Sequence, residues 1–255
     1  MRANRLATPS EQLIRDALVL PVDDGRRARD IDERARREPS RSRRTAQGGA
    51  RSVVTLDQLR DVSNRLIGPF VDIAERVGLS ANAITLIAFA LAVLAGVVLY
   101  VAGSSPQWYL VGGVLVLVSG FLDVLDGAVA RATQTATKAG DYLDHALDRY
   151  ADVVILAGLA VGVEQYELGL LAITGVLLTA YLGTQAQAVG LGRMYGGLLG
   201  RADILVLVGI TSIVATWVRA DVYGLTVVGW LLVFFAVVSH VTAAQRFVWA
   251  WNELR

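Results

Sequence analysis

Four aspartates fall in two pairs between positions 123 and 148, in the middle of a strongly apolar stretch. Asp123 and Asp126 are three residues apart, which is about 60° around a helix. Asp144 and Asp148 are four apart, about 40°. Each pair therefore projects from one helix face. An ionised carboxylate at a membrane helix centre is expensive, on the order of 2.5–3.5 kcal/mol on insertion scales. Four of them converging would repel one another, and some would stay protonated unless cations joined them. Oxygen-only ligands favour hard divalent ions such as Mg²⁺ or Mn²⁺. Four carboxylates suit two such ions roughly 3.5–4 Å apart, a geometry used in phosphoryl chemistry.

The residues between the pairs fit a phosphate ligand. Gly127 lets a ligand approach the backbone, Ala130 is small, and Gly140 opens space beside the third carboxylate. Arg131 can grip a phosphate through its guanidinium fork. The physics alone leaves a second reading open, in which these are solvated charges anchoring helix ends.

The elements that must position them follow from composition. The 255-residue chain is 54% hydrophobic, with a mean hydropathy of +0.49. Such a chain reads as all-α and membrane-embedded. It has no cysteine, so disulfides and cysteine–zinc sites are excluded. The first 20 residues lack a long apolar core, and no cleavable signal peptide is expected. Residues 1–52 form an Arg-rich arm, with 13 arginines against 8 acids over 1–51. Their composition predicts disorder; tethering to anionic head groups is the alternative. The membrane domain is expected over 53–255.

Leu56, Leu59, Val62, Leu66, Phe70, Ile73 and Val77 recur at helical spacing, with Pro69 expected to break or kink the helix. This predicts an amphipathic interfacial helix before the first span; a helix buried on protein is the alternative. No charge occurs from Val77 to Leu122. Six transmembrane helices are predicted, roughly 82–102, 107–130, 141–163, 168–190, 203–218 and 222–245. Gly158/Gly162 and Gly196/Gly200 would permit close helix approach. Trp108, Trp217, Trp249 and Trp251 fall near span ends, and Trp230 is expected to pack mid-span. Arg131, Lys138, Arg193, Arg201 and Arg246 lie on the side that the positive-inside rule makes cytoplasmic. A multi-pass cell-membrane protein with both termini and the aspartates cytoplasmic is therefore expected.

The full spacing is Asp123-x2-Asp126-Gly127-x2-Ala130-Arg131-x8-Gly140-x3-Asp144-x3-Asp148. It resembles, position for position, the signature of the CDP-alcohol phosphotransferase family. The resemblance covers about residues 56–250. It implies transfer of a phosphatidyl- or archaetidyl-type group from a CDP-linked lipid, CDP-diacylglycerol or CDP-archaeol, to the hydroxyl of a polar alcohol, with CMP leaving. It further implies that Asp123, Asp126, Asp144 and Asp148 hold two Mg²⁺ or Mn²⁺ ions, and that Asp148 is also the base. Asp126, Gly127, Ala130 and Arg131 would hold the CDP moiety. The sequence "ANAIT" keeps Asn82 and Thr85 of a family element that contacts the nucleotide, with Ala81 where proline is usual. A homodimer is implied as well, and no nucleic-acid partner.

Within the family the chain most resembles the synthases of phosphatidylinositol phosphate and archaetidylinositol phosphate. Arg201 and Arg246 match two arginines of their acceptor pocket. Gly183, Gln185 and Gln187 stand where Lys, Arg and Glu are typical, and Arg193 is a candidate replacement for a lost charge. A polyol phosphate such as inositol phosphate is the expected acceptor; glycerol phosphate or another alcohol is the alternative. Outside the signature, Asp141 is expected to cap the third span, His145 to hydrogen-bond beside the ligands, Asp152 to pair with Arg149 or support the metals, and His240 to bond within its own span. A divalent-cation transporter is the competing class. It would need polar residues through the far halves of spans two and three, which instead read "LVGGVLVLV" and "VVILAGLAVGV".

Overall fold

A computed structural model describes residues 60–192 and 197–255, with side chains from Ile67 onward. The arm expected over 1–52, and Arg193, lie outside the described residues. Those residues form seven helices: α1 Arg60–Val77, α2 Ala81–Ser104, α3 Trp108–Ala132, α4 Lys138–Gly162, α5 Tyr166–Ala188, α6 Arg201–Ala215 and α7 Val227–Glu253. The six expected spans correspond in order to α2–α7. Four helices, α2, α3, α5 and α7, are long and apolar enough to cross a membrane. Charges crowd the first half of α4, and α6 has only 15 residues. Outward faces carry Leu86, Leu94, Val97, Leu110, Val114 and Val118. A polytopic membrane protein buries such faces in lipid.

Local chemistry sets the boundaries. Gly78 adopts φ +70°, the left-handed conformation that glycine takes without a Cβ penalty. Leu79 N then bonds Ala74 O at 3.0 Å, and Gly78 N bonds Glu75 O at 3.1 Å, which ends α1. Ser80 caps α2, Thr137 caps α4 through Gly140 N at 3.0 Å, and Thr226 caps α7. The α4 cap is thus Thr137, with Asp141 in the first turn behind it.

Pro69 does not end α1, which runs through it. The buried face of α1 also differs from the expected stripe. Ile67, Val71 and Ala74 are buried with Leu125 and Val129 of α3, whereas Phe70, Ile73 and Val77 are exposed. The helix is apolar on two adjacent stripes, and the one that fits α3 turns inward. Phe70 meets Phe121 of α3 edge-on, 4.9 Å between centroids. Trp230 sits in the first turn of α7 rather than mid-span, because the helix starts at Val227; its Nε1 donates to Val222 O at 3.0 Å. His240 Nδ1 lies 2.8 Å from Ala236 O within α7.

The core is built by α2 packing on α3 and α4, α3 on α6, and α5 on α7. Glycines set the closest approaches. A Cβ on Gly158 would collide with the carbonyl of Gly96, and one on Gly103 with Gly162. A Cβ on Gly113 would lie 2.7 Å from Gly209 O. Close backbone contact of this kind gives membrane helices their packing energy where lipid removes the hydrophobic drive.

Candidate active site

The five residues between α3 and α4 turn the chain back, so the two helices bring their aspartates together. Asp123, Asp144 and Asp148 each offer a carboxylate oxygen, all within 4.8 Å of one another. This is the expected convergence, with three carboxylates rather than four in mutual reach. Asp126 lies outside that group: it is 3% exposed, and Thr85 Oγ1 of α2 donates to its Oδ2 at 2.6 Å. The same hydroxyl lies 3.0 Å from Ala81 O, but its single proton serves the nearer, stronger acceptor. Thr85, expected at the nucleotide, therefore touches the second aspartate.

One guanidinium spans the cluster. Arg201, the first residue of α6, places Nη1 2.6 Å from Asp123 Oδ2 and Nη2 2.8 Å from Asp148 Oδ1. Its Nε donates to Asp152 Oδ1 at 3.3 Å. Arg149 lies on the other side, with Nη2 3.4 Å from Asp148 Oδ2 and Nη1 3.4 Å from Asp152 Oδ2. The Asp152 side chain is only 1% exposed. A carboxylate that deep must be paired, and here it is paired twice. Asp152 was legible as a partner of Arg149; its bond to Arg201 was not, because they lie 49 positions apart.

Asp144 is held differently. Its Oδ1 is buried with no hydrogen-bond partner, and its Oδ2 faces His145 Nδ1 at 3.5 Å. A buried carboxylate oxygen without a donor is suited to a cation. With three converging oxygen donors and no nitrogen or sulfur among them, the set fits a hard divalent ion.

Beside the aspartates the signature glycines open space. Arg131 folds back so that a Cβ on Gly127 would be 3.2 Å from its Nη1. Asn82 Oδ1 would be 3.1 Å from a Cβ on Gly140. Asn82 also lines a cleft of about 640 Å³ between the α1–α2 and α3–α4 connections, with Ser80, Val129, Thr133, Thr135 and Thr137. Ala130 is half-buried in the last turns of α3.

Arg246 packs against α5. Its Nη1 donates to Thr179 O at 2.7 Å, and a Cβ on Gly183 would stand 2.8 Å from the same nitrogen. Gly197, at φ +132°, faces its guanidinium from the loop before α6.

A bundle of long apolar helices that gathers three carboxylates from α3 and α4 fits the class of metal-dependent membrane enzymes. Comparison with known proteins gives the family. The family model of CDP-alcohol phosphatidyltransferases matches residues 79–242. The archaetidylinositol phosphate synthase of Methanothermobacter thermautotrophicus is 33% identical over 205 residues, covering 78% of this chain and 96% of its own. The phosphatidylinositol phosphate synthase of Mycobacteroides abscessus is 31% identical over 194 residues, 73% of this chain and 84% of its own. The Mycobacterium tuberculosis phosphatidylinositol phosphate synthase, solved with CDP-DAG bound, superposes with a TM-score of 0.62 at 26% identity. It covers 73% of this chain and 94% of that one.

The chain belongs to the CDP-alcohol phosphatidyltransferase family. It is a transferase of phospholipid synthesis, and the transporter reading has no support.

Proposed function

We propose that the protein transfers a phosphatidyl- or archaetidyl-type group from a CDP-linked lipid to a polyol phosphate, with inositol phosphate the leading acceptor. The reading rests on one observation above all: Asp123, Asp144 and Asp148 converge within 4.8 Å, and Asp144 keeps a buried oxygen without a donor. Similarity to synthases of archaetidylinositol phosphate and phosphatidylinositol phosphate supports the acceptor.

In this reading Asp123, Asp144 and Asp148 ligate divalent ions, Mg²⁺ or Mn²⁺, with Asp126 completing a two-ion set. When bound, the ions polarise the diphosphate and stabilise the charge that develops on leaving CMP. The chain's own residues do the rest. Asp148 takes the proton of the acceptor hydroxyl. That oxygen then forms a bond to the lipid-side phosphorus, and the bond from this phosphorus to the bridging oxygen of CMP breaks, its electron pair leaving with CMP. Thr85 keeps the Asp126 carboxylate oriented. Gly127, Ala130 and Arg131 receive the diphosphate, and the cleft beside Asn82 is large enough for the nucleotide. Arg201 and Arg246, with Arg193, bind the acceptor's phosphate.

The setting follows from the same reading. The helices α2–α7 span the bilayer, α4 and α6 included, because their outward residues are apolar and their charges gather at one end. Helix α1 lies at the interface with Phe70, Ile73 and Val77 towards lipid. The basic connections face the cytoplasm of a cell-membrane enzyme that works as a homodimer.

The test is CMP release by the purified full-length protein. CDP-diacylglycerol and CDP-archaeol are offered with myo-inositol phosphate, glycerol phosphate and free inositol, each with Mg²⁺, Mn²⁺ or a chelator. Release is expected to be fastest with inositol phosphate and to vanish with the chelator. Faster release with glycerol phosphate would replace the acceptor; turnover without a divalent ion would remove the metal assignment.

A further inference from the structure

Arg201 makes contacts that binding an acceptor does not explain. Its guanidinium addresses three carboxylates from two helices, Asp123 of α3 with Asp148 and Asp152 of α4. Two of these, Asp123 and Asp148, belong to the oxygen cluster within metal-ligating reach; Asp152 does not. The division follows the guanidinium's own geometry. Nη1 and Nη2 face the two cluster carboxylates, while Nε faces Asp152.

We propose that Asp152 is a positioning residue that holds Arg201 by its Nε edge, and that the Nη edge is shared between the metal-ligating carboxylates and an anionic acceptor. The proposal rests on the metal reading given above. Asp123 Oδ2 and Asp148 Oδ1 lie 2.6 and 2.8 Å from Nη1 and Nη2 as ion pairs. A divalent ion drawing on the same carboxylates competes for those oxygens and repels the guanidinium as a like charge. Asp152 stands outside that competition. It is buried, its second oxygen lies 3.4 Å from Arg149 without a hydrogen bond, and its grip on Nε persists when the Nη atoms are displaced. The start of α6 is fixed as well, since Gly200 N donates to Asp203 Oδ2 at 2.8 Å. With its backbone and its Nε edge both held, the guanidinium pivots rather than leaves. Its two Nη groups become a fork for a phosphate beside the cations. Cation binding and anionic acceptor binding are then positively coupled through a single side chain.

Coupling of this kind is reciprocal and can be measured without turnover. Mn²⁺ binding to the full-length protein in detergent is followed by electron paramagnetic resonance, without donor lipid. Arg201→Gln is expected to lower the Mn²⁺ dissociation constant at least tenfold, because the competing cation is gone. An unchanged or higher constant overturns the sharing. The titration is repeated with myo-inositol 1-phosphate. The wild type is expected to bind Mn²⁺ at least fivefold more tightly in its presence, and Arg201→Gln to show no such gain. Asp152→Asn is expected to retain Mn²⁺ binding and lose most of the gain; a gain equal to wild type overturns the positioning role. Should Asp152→Asn fail to fold, Asp152→Glu takes its place, with an intermediate gain expected and a gain equal to wild type again overturning the role. A wild type that binds no Mn²⁺ overturns the metal reading and this inference together, whereas tight wild-type binding with an unaltered Arg201→Gln constant overturns this inference alone.

Discussion

The two halves of α4 are held in place by opposite means. The first half, through Asp152, packs by charge: Asp148 and Asp152 pair with Arg149 of the same helix and with Arg201 of α6, which also meets Asp123 of α3. The second half packs by absence of side chain. There Gly158 and Gly162 lie against the backbones of Gly96 and Leu99, flanked by buried Ile155, Leu156 and Leu159. One half sets its distances by ion pairs that can exchange partners. The other sets them by hard contact that leaves no room for a methyl group. A reactive centre needs the first property, and a fixed frame behind it needs the second.

Substitutions in the two halves should therefore fail in different ways. The largest effect is expected for Asp148→Asn, which removes the proposed base while conserving shape. CMP release should fall about 10²–10⁴-fold, with the detergent melting temperature near wild type; near-normal release would remove the base assignment. Gly158→Val should do the reverse. Its side chain would collide with the Gly96 carbonyl, and overpacking of this sort costs about 1–3 kcal/mol, occasionally more. Thermal melting and the yield of monodisperse protein should drop, and whatever folded fraction remains should turn over normally. Retained stability would show that α2 and α4 can separate without loss.

Thr85→Val tests the link between frame and centre. It deprives Asp126 of its 2.6 Å donor, and an unsatisfied buried acceptor costs about 1–3 kcal/mol. Lower melting is expected together with weaker use of CDP-lipid, read as a raised KM for the donor. Gly183→Ala should be mildest. Its methyl would press on Arg246 Nη1 from 2.8 Å. A shift of about 1 kcal/mol, roughly fivefold, is expected in KM for the acceptor and none for the donor.

What the sequence made legible was local. The antiparallel aspartate pairs could be read because both lie on adjacent helices joined by a short connection, where periodicity dictates which side chains share a face. The helix order could be read because charge is absent from Val77 to Leu122 and turn residues punctuate the rest. The buried stripe of α1 could not. Ile67, Val71 and Ala74 form one apolar stripe, and Phe70, Ile73 and Val77 its neighbour. Periodicity does not say which of two apolar stripes meets protein when lipid is available to the other. The orientation of Asp126 was hidden for a similar reason. Its hydroxyl partner is 41 residues away on α2, and a spacing rule that groups four carboxylates carries no sign of which one a neighbouring helix bonds. Gly158 and Gly162 mark a close approach because Gly96 and Gly103 stand opposite them on α2.

The 49-position separation of Asp152 and Arg201 also has a meaning in time. A ribosome adding about 5–20 residues per second completes the aspartate hairpin roughly 2–10 s before it makes the guanidinium that bridges Asp123 and Asp148. Through that interval the arginine that meets these acids is the hairpin's own Arg149, 3.4 Å from both Asp148 and Asp152. Arg149 is thus the early partner of Asp148 and Asp152, and Arg201 is the late arrival that closes the assembly.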